Sequence, residues 1–80
     1  MERTLKIGGV YKHFKNNLYL VREIALHTET GKRLVIYSRL TNGVLDNVVY
    51  ARDYEMFMSE VDREKYPNAQ QRYRFELIAF

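Results

Sequence analysis

The sequence predicts a small, mainly β domain: an antiparallel barrel of about five strands with one short helix before the last strand. Three features of the chain lead there. Runs rich in β-branched and aromatic residues follow one another closely, parted by turn signals that carry Asn and Gly. The apolar period changes to a helical one only once, after Arg52. No stretch between strands is long enough for the crossover helix that a parallel pair requires.

The elements follow in order. Residues 1–7 read as a lead-in, and Gly8-Gly9 opens a first strand from Val10 to Phe14. Lys15-Asn16-Asn17 is a hairpin signal, because Asn tolerates the left-handed backbone of tight turns; a loop over these residues sets His13 across from Tyr19. The second strand, Leu18 to His27, is apolar on both faces, so it is central or switches faces at a bulge placed at Arg22-Glu23. After the turn Thr28–Lys32, a third strand runs from Arg33 to Leu40 around Leu34, Val35, Ile36 and Tyr37. Asn42-Gly43 marks another hairpin, leading into a fourth strand from Leu45 to Ala51. Tyr54, Phe57, Met58 and Val61 then lie on one helical face, giving a helix over Asp53–Glu60 with Asp53 as its N-cap. Residues 62–71 form a polar connector with the only proline, Pro67. Tyr73, Phe75, Leu77 and Ala79 alternate with polar or exposed positions as a last strand with one buried face.

Eighty residues make one domain. A chain this size buries only about 60% of the surface its unfolded form exposes. With no cysteine it has neither disulfides nor thiolate metal ligands to brace it, so seven Tyr and four Phe must supply the burial. Thirteen Lys/Arg against ten Asp/Glu leave a net charge of +3 with the signs interspersed, a weak pull towards nucleic acid. No apolar run follows Met1–Lys6 as a secretory signal would, and none approaches transmembrane length. The expectation is a cytoplasmic protein, free of membrane contacts and without a cofactor.

Several residues are candidates for chemistry. His27 and Glu29 stand two apart and share a face of an extended chain. With His13 opposite Tyr19, both imidazoles fall on one surface near Tyr11 and Tyr37 provided that no bulge intervenes between Tyr19 and His27. A metal or general-base site on His13, His27 and Glu29 is one reading. Against it, the spacing matches no metal motif, and Ser38 and Ser59 sit in no nucleophile elbow. Gly8-Gly9 also lacks the third glycine of a phosphate-cradling loop. The plainer role of each histidine is a hydrogen bond that fixes a turn, and Thr28 and Thr30 suit the same task. Arg52, at a strand–helix junction, fits bidentate binding of a carboxylate or phosphate, or else an ion pair with Glu29 or Glu55. Tyr11, Tyr19, Tyr37 and Tyr50 fall on neighbouring strands, where they either fill the core or stack a base, a proline ring or a methylammonium group.

The run Gly9-Val10-Tyr11-Lys12-His13-Phe14-Lys15-Asn16-Asn17, followed by His27-Thr28-Glu29-Thr30, Glu55-Met56-Phe57 and Arg74-Phe75-Glu76, resembles a small bacterial family known as domain of unknown function 1653. The resemblance covers residues 8–78. It implies an SH3-like barrel and brings no established activity. Asn16 stands where that family usually has Gly, Tyr50 where it often has Trp, and Asp53 where it often has Pro.

These readings converge on a non-enzymatic binding module. Its ligand, a peptide, a nucleotide or a nucleic acid, is expected to meet Tyr11, His13, His27, Glu29, Tyr37 and Arg52. The competing readings are an enzyme or metal site centred on His13, His27 and Glu29, and a structural or oligomerising domain. In the last, Ile78 and Phe80 extend an edge strand into a neighbour, giving a monomer or weak homo-oligomer.

Overall fold

The computed structural model describes residues 3–80. Strands β1 (Val10–His13), β2 (Leu18–Leu26) and β3 (Arg33–Thr41) form an antiparallel meander. The first turn is a loop over Phe14–Asn16. The His13 N–H donates to the Asn17 carbonyl at 2.8 Å, and Asn16 takes the left-handed φ of 79° that the turn needs. Tyr11 therefore faces Tyr19, a register two residues away from the expected pairing of His13 with Tyr19. The side-chain parity survives the slip, so His13 and Tyr19 still share a face as diagonal neighbours, with ring centroids 6.3 Å apart.

The expected bulge in β2 is present, where the register with β3 shifts between Val21 and Glu23. The β3–β4 turn is also as expected: Asn42 (φ 53°) and Gly43 (φ 79°) form a two-residue loop between Thr41 and Val44. The expected fourth strand is split. Strand β4 (Val44–Leu45) pairs with Thr41 and Leu40, and β5 (Tyr50–Asp53) pairs with Leu34–Tyr37. Between them Asp46–Val49 stand opposite only Ser38 and Arg39. The extra residues loop out, and Asp46 Oδ1 accepts from the Val48 N–H at 3.4 Å.

Asp53 caps the helix as expected, its Oδ1 accepting from the Glu55 N–H at 3.0 Å. Helix α1 is a single turn, Tyr54–Phe57, shorter than the expected Asp53–Glu60. The Ser59 hydroxyl takes the Met56 carbonyl at 2.6 Å, and the chain then pairs with residues 72–74 through a Glu60–Tyr73 bridge. Phe57 and Val61 are buried and Tyr54 and Met58 pack on the core, so the anticipated apolar face forms, with Val61 delivered by the bridge instead of the helix.

Strand β6 (Phe75–Ala79) pairs with β1, with a register shift between Val10 and Tyr11. Its expected buried face is reduced to Phe75, and Leu77 and Ala79 are exposed. The sheet runs β4-β3-β2-β1-β6, with β5 as a further partner of β3. It is an open six-stranded antiparallel sheet: neither β4 nor β5 bonds to β6, so the barrel closure expected from the sequence does not form. Packing joins the two ends instead. Phe57, just after β5, stacks on Phe75 at the start of β6, with ring centroids 4.0 Å apart and planes 9° from parallel. Around this pair lie Leu5, Tyr11, Val21, Val35 and Tyr37. Burying a side chain of this kind is worth about 1.5–3 kcal/mol. Leu5 shows that the lead-in belongs to the core, and Arg3 anchors it by donating to the carbonyls of Met58 and Phe75.

Candidate functional site

The six residues expected at one surface fall in three places. Tyr11 is 1% exposed, and its hydroxyl accepts from the Lys6 N–H at 2.9 Å; it is core, not contact surface. His27 and Glu29 lie at the β2–β3 turn. His13, Tyr37 and Arg52 come together at the opposite end of β2. The two ends are separated by about 26 Å of strand at ~3.3 Å per residue. The convergent site expected on His13, His27 and Glu29 is therefore not formed. Among the described residues no group of three or more His, Cys, Asp or Glu is placed to hold a metal ion.

The His27 corner is a turn closure. Its Nδ1 accepts from the N–H groups of Glu29 (3.2 Å) and Thr30 (3.4 Å), the Gly31 N–H returns to the His27 carbonyl, and Gly31 has φ 72°. Thr30 Oγ1 accepts from the Lys32 N–H, the turn role expected of it. Glu29 is exposed and makes no ion pair among the described residues.

The His13 corner uses the same local bond, Nδ1 accepting from the Lys15 N–H at 3.1 Å, which assigns the ring proton to Nε2. Its surroundings differ. Phe14, Tyr19 and Phe75 pack against the imidazole, at centroid distances of 4.5, 6.3 and 4.8 Å. Partial burial, and then the positive charges of Arg52, Lys15 and Arg74, push the His13 pKa down from 6.5 to about 4. The ring is thus neutral near pH 7.

An open cleft of about 300 Å³ lies over this corner, and among the described residues no carboxylate lines it. Its floor is aromatic: Tyr19, Tyr37 and Phe75, with Tyr37 5.3 Å from Tyr19 and 5.7 Å from Phe75. Its rim is cationic: Lys15, Arg52 and Arg74. Arg52 Nε donates to the Tyr37 hydroxyl at 3.2 Å, and Arg74 Nε donates to Ser59 Oγ at 3.0 Å. The neutral hydroxyls hold each guanidinium by its Nε. Among the described residues, the terminal nitrogens of both arginines form no hydrogen bond or ion pair. Ion pairs with Glu29 or Glu55 were the expected structural alternative for Arg52; Glu55 instead pairs with Arg33 at 3.6 Å. Two held forks with free terminal nitrogens suit an anion with several oxygens.

Lys15, Tyr19, Tyr66, Arg74 and Phe75 complete the cleft and were absent from the expected site. Tyr19 and Lys15 lie on the same hairpin as His13 and were within reach of strand parity. Tyr66 arrives from the connector itself and Arg74 from just beyond it. That connector is folded, not featureless. Asp62 Oδ1 accepts from the N–H groups of Glu64 and Lys65, and Arg63 donates to the carbonyls of Ala69 and Gln71. Gln71 Nε2 donates to the Lys12 carbonyl, and the Tyr66 ring lies 4.8 Å from Phe14. No local pattern announces that contact.

Fold and site together define a small open β-roll with a cationic, aromatic-floored cleft. The chain belongs to the family described as a protein of unknown function, DUF1653, which matches residues 9–77. No curated protein and no solved structure matches.

Proposed function

We propose that this chain is a non-enzymatic binding module for a ligand that carries a phosphate group, held in the cleft over the His13 corner. One observation carries the reading: Arg52, Arg74 and Lys15 converge on the cleft with no carboxylate partner among the described residues. Three unneutralised cations beside one another repel, and a bound anion relieves that repulsion. The aromatic floor suits a ligand with a flat ring beside its charge, which favours a nucleotide or nucleic acid over a simple peptide. We read the roll as SH3-like, from the long second strand bent at its bulge and the one-turn helix before the last strand. His27 and Glu29 have no part in this site, and the enzyme or metal alternative built on them with His13 lacks its geometry.

Titration of the protein with inorganic phosphate and with uridine monophosphate, followed by amide shifts in NMR at low salt, tests the proposal. Shifts should map to residues 13–19, 52 and 74, and Arg52→Ala or Arg74→Ala should each weaken binding by about tenfold, the loss of one charged hydrogen-bonding group. Absence of binding at millimolar ligand, or binding indifferent to both arginines, overturns it.

A second reading, self-association, draws on a separate observation. Among the described residues the outer edge of β6 carries no strand, and Leu77, Ile78 and Phe80 are exposed beside it, Phe80 at 81%. A monomeric mass by light scattering at high protein concentration removes it.

A further inference from the structure

The cleft is the middle of a longer feature. Aromatic rings run through it from Tyr50 on β5 to Tyr66 on the connector, by way of Tyr19, His13 and Phe14. The four centroid-to-centroid steps are 6.4, 6.3, 4.5 and 4.8 Å. Tyr50 is 37% exposed and stands 5.5 Å from Tyr37. Tyr66, at the other end, carries two lysines over its ring: Lys15 Nζ at 5.2 Å and Lys65 Nζ at 5.8 Å from the centroid. Arg52 lies over Phe75 near the centre, 5.5 Å from its centroid. Positive charge therefore accompanies the rings from the middle of the track to the Tyr66 end.

A single phosphate and its ring occupy the cleft and leave Tyr50, outside its lining, unused. A polymer with regularly alternating rings and phosphates uses the whole track. An acidic peptide would meet the cations and leave the ladder of rings without partners. Duplex nucleic acid buries its base faces and offers the rings nothing to stack on. We propose that the track binds single-stranded nucleic acid, with phosphates passing Arg52, Arg74 and Lys15 and bases stacking on the accessible parts of these half-buried rings out to Tyr50 and Tyr66. The inference rests on the phosphate-binding reading and adds polymer length, strandedness and the two end tyrosines to it.

Fluorescence anisotropy with labelled eight-nucleotide oligothymidylate and oligouridylate tests it, set beside uridine monophosphate, an eight-base-pair duplex and a short polyglutamate. The single strands should bind at least tenfold more tightly than the mononucleotide, the duplex or the polyglutamate. Whether oligothymidylate or oligouridylate binds better tells DNA from RNA. Three phosphate contacts at about 0.7 each predict a slope near −2 in a plot of log affinity against log salt. Tyr50→Ala and Tyr66→Ala should each weaken oligonucleotide binding by roughly fivefold or more, the loss of one stacking platform, and Tyr50→Ala, which lies outside the cleft, should leave inorganic phosphate binding unchanged. Tyr66 also packs on Phe14, so Lys65→Ala supplies a second variant at that end that leaves the Tyr66–Phe14 contact in place, expected to lower the affinity. If the oligonucleotides bind no more tightly than the mononucleotide, or ignore the end tyrosines, the track is wrong and the phosphate site stands. Tighter binding of polyglutamate reassigns the ligand to an acidic peptide. If inorganic phosphate, mononucleotide and oligonucleotide all fail to bind, both readings fall.

Discussion

The two histidine corners are built from the same local chemistry and come to different ends. Each histidine precedes a hairpin loop, and each Nδ1 accepts the N–H two residues further on. Each loop holds a residue in the left-handed region, Asn16 in one and Gly31 in the other. At His27 nothing further is added. No other ring packs on it among the described residues, and the loop from Thr28 to Lys32 is exposed. At His13 three rings and three cations close in, and of these Phe75, Arg52 and Arg74 come from elements remote in sequence. A turn motif thus fixes a corner of the sheet, and what packs against the corner decides whether it becomes a site.

The largest effect that separates the two ends is on stability. Phe75 is 1% exposed, touches the rings of His13, Tyr19, Tyr37 and Phe57, and supports the floor of the cleft. Phe75→Ala should cost about 3–5 kcal/mol in urea unfolding. That is a large share of the roughly 4–12 kcal/mol a domain of this length commands, so the variant may be studied only at low temperature or with added ligand. Leu26, next to His27, is 65% exposed, and Leu26→Ala should stay within about 0.5 kcal/mol of the parent. Equal losses at the two ends would show that the His27 corner is packed after all.

Next in size is the contrast between the histidines themselves. His13→Ala removes ring packing together with the bond to the Lys15 N–H, and should cost about 1–3 kcal/mol. His27→Ala removes only turn bonds in partly solvated surroundings and should cost about 0.5–1 kcal/mol. Replacement by Asn sharpens the comparison, because Asn Oδ1 can take the place of Nδ1 as acceptor. His27→Asn should recover most of the loss, whereas His13→Asn should recover only the turn bond and remain destabilised. Full recovery at both corners would reduce His13 to a turn residue.

This contrast also marks how far local pattern reaches. The bulge at Val21–Glu23, the Asn42-Gly43 turn, the Asp53 cap and the docking of Phe57 were legible, since each is decided by residues within a few positions or by a simple alternation. The length of α1 was not. Its periodicity continues to Val61, but the Ser59 hydroxyl and the remote Tyr73 backbone compete for the chain and win. Barrel closure was likewise a long-range question, settled by the Phe57–Phe75 stack where a closing strand pair was expected. Of the site, His13, Tyr37 and Arg52 were found through strand parity and a junction position. Arg74 and Tyr66 stayed hidden because they reach His13 and Phe14 through a folded connector whose sequence reads only as polar. Tyr11 misled for the opposite reason: it shares a face of β1 with His13, but at its level that face is covered by Phe57 and the core.

The last effect, and the one that isolates His13 electrically, is a pH dependence. The folded-state pKa of about 4 lies below the ordinary value of 6.5. Between those values the unfolded chain binds a proton at His13 and the folded chain does not. Stability therefore rises with pH across the window. The contribution is complete above about pH 6.5 and is lost progressively as the pH falls towards 4. His13→Asn cannot titrate, so its stability should fall less than the parent's between pH 7 and 4, and the difference between the two curves should be confined to that window. Carboxylates titrating in the same range act alike in both proteins and cancel in the difference. Phosphate should change the outcome in a definite direction. An anion among Arg52, Arg74 and Lys15 offsets the charges that help to depress the His13 pKa, so saturating phosphate should raise it, visible as an upfield-to-downfield midpoint shift of the ring protons in NMR. Parallel stability curves for parent and variant would mean that the ring is less enclosed than its neighbours imply. A midpoint unmoved by bound phosphate would place the anion away from His13, and so outside the cleft.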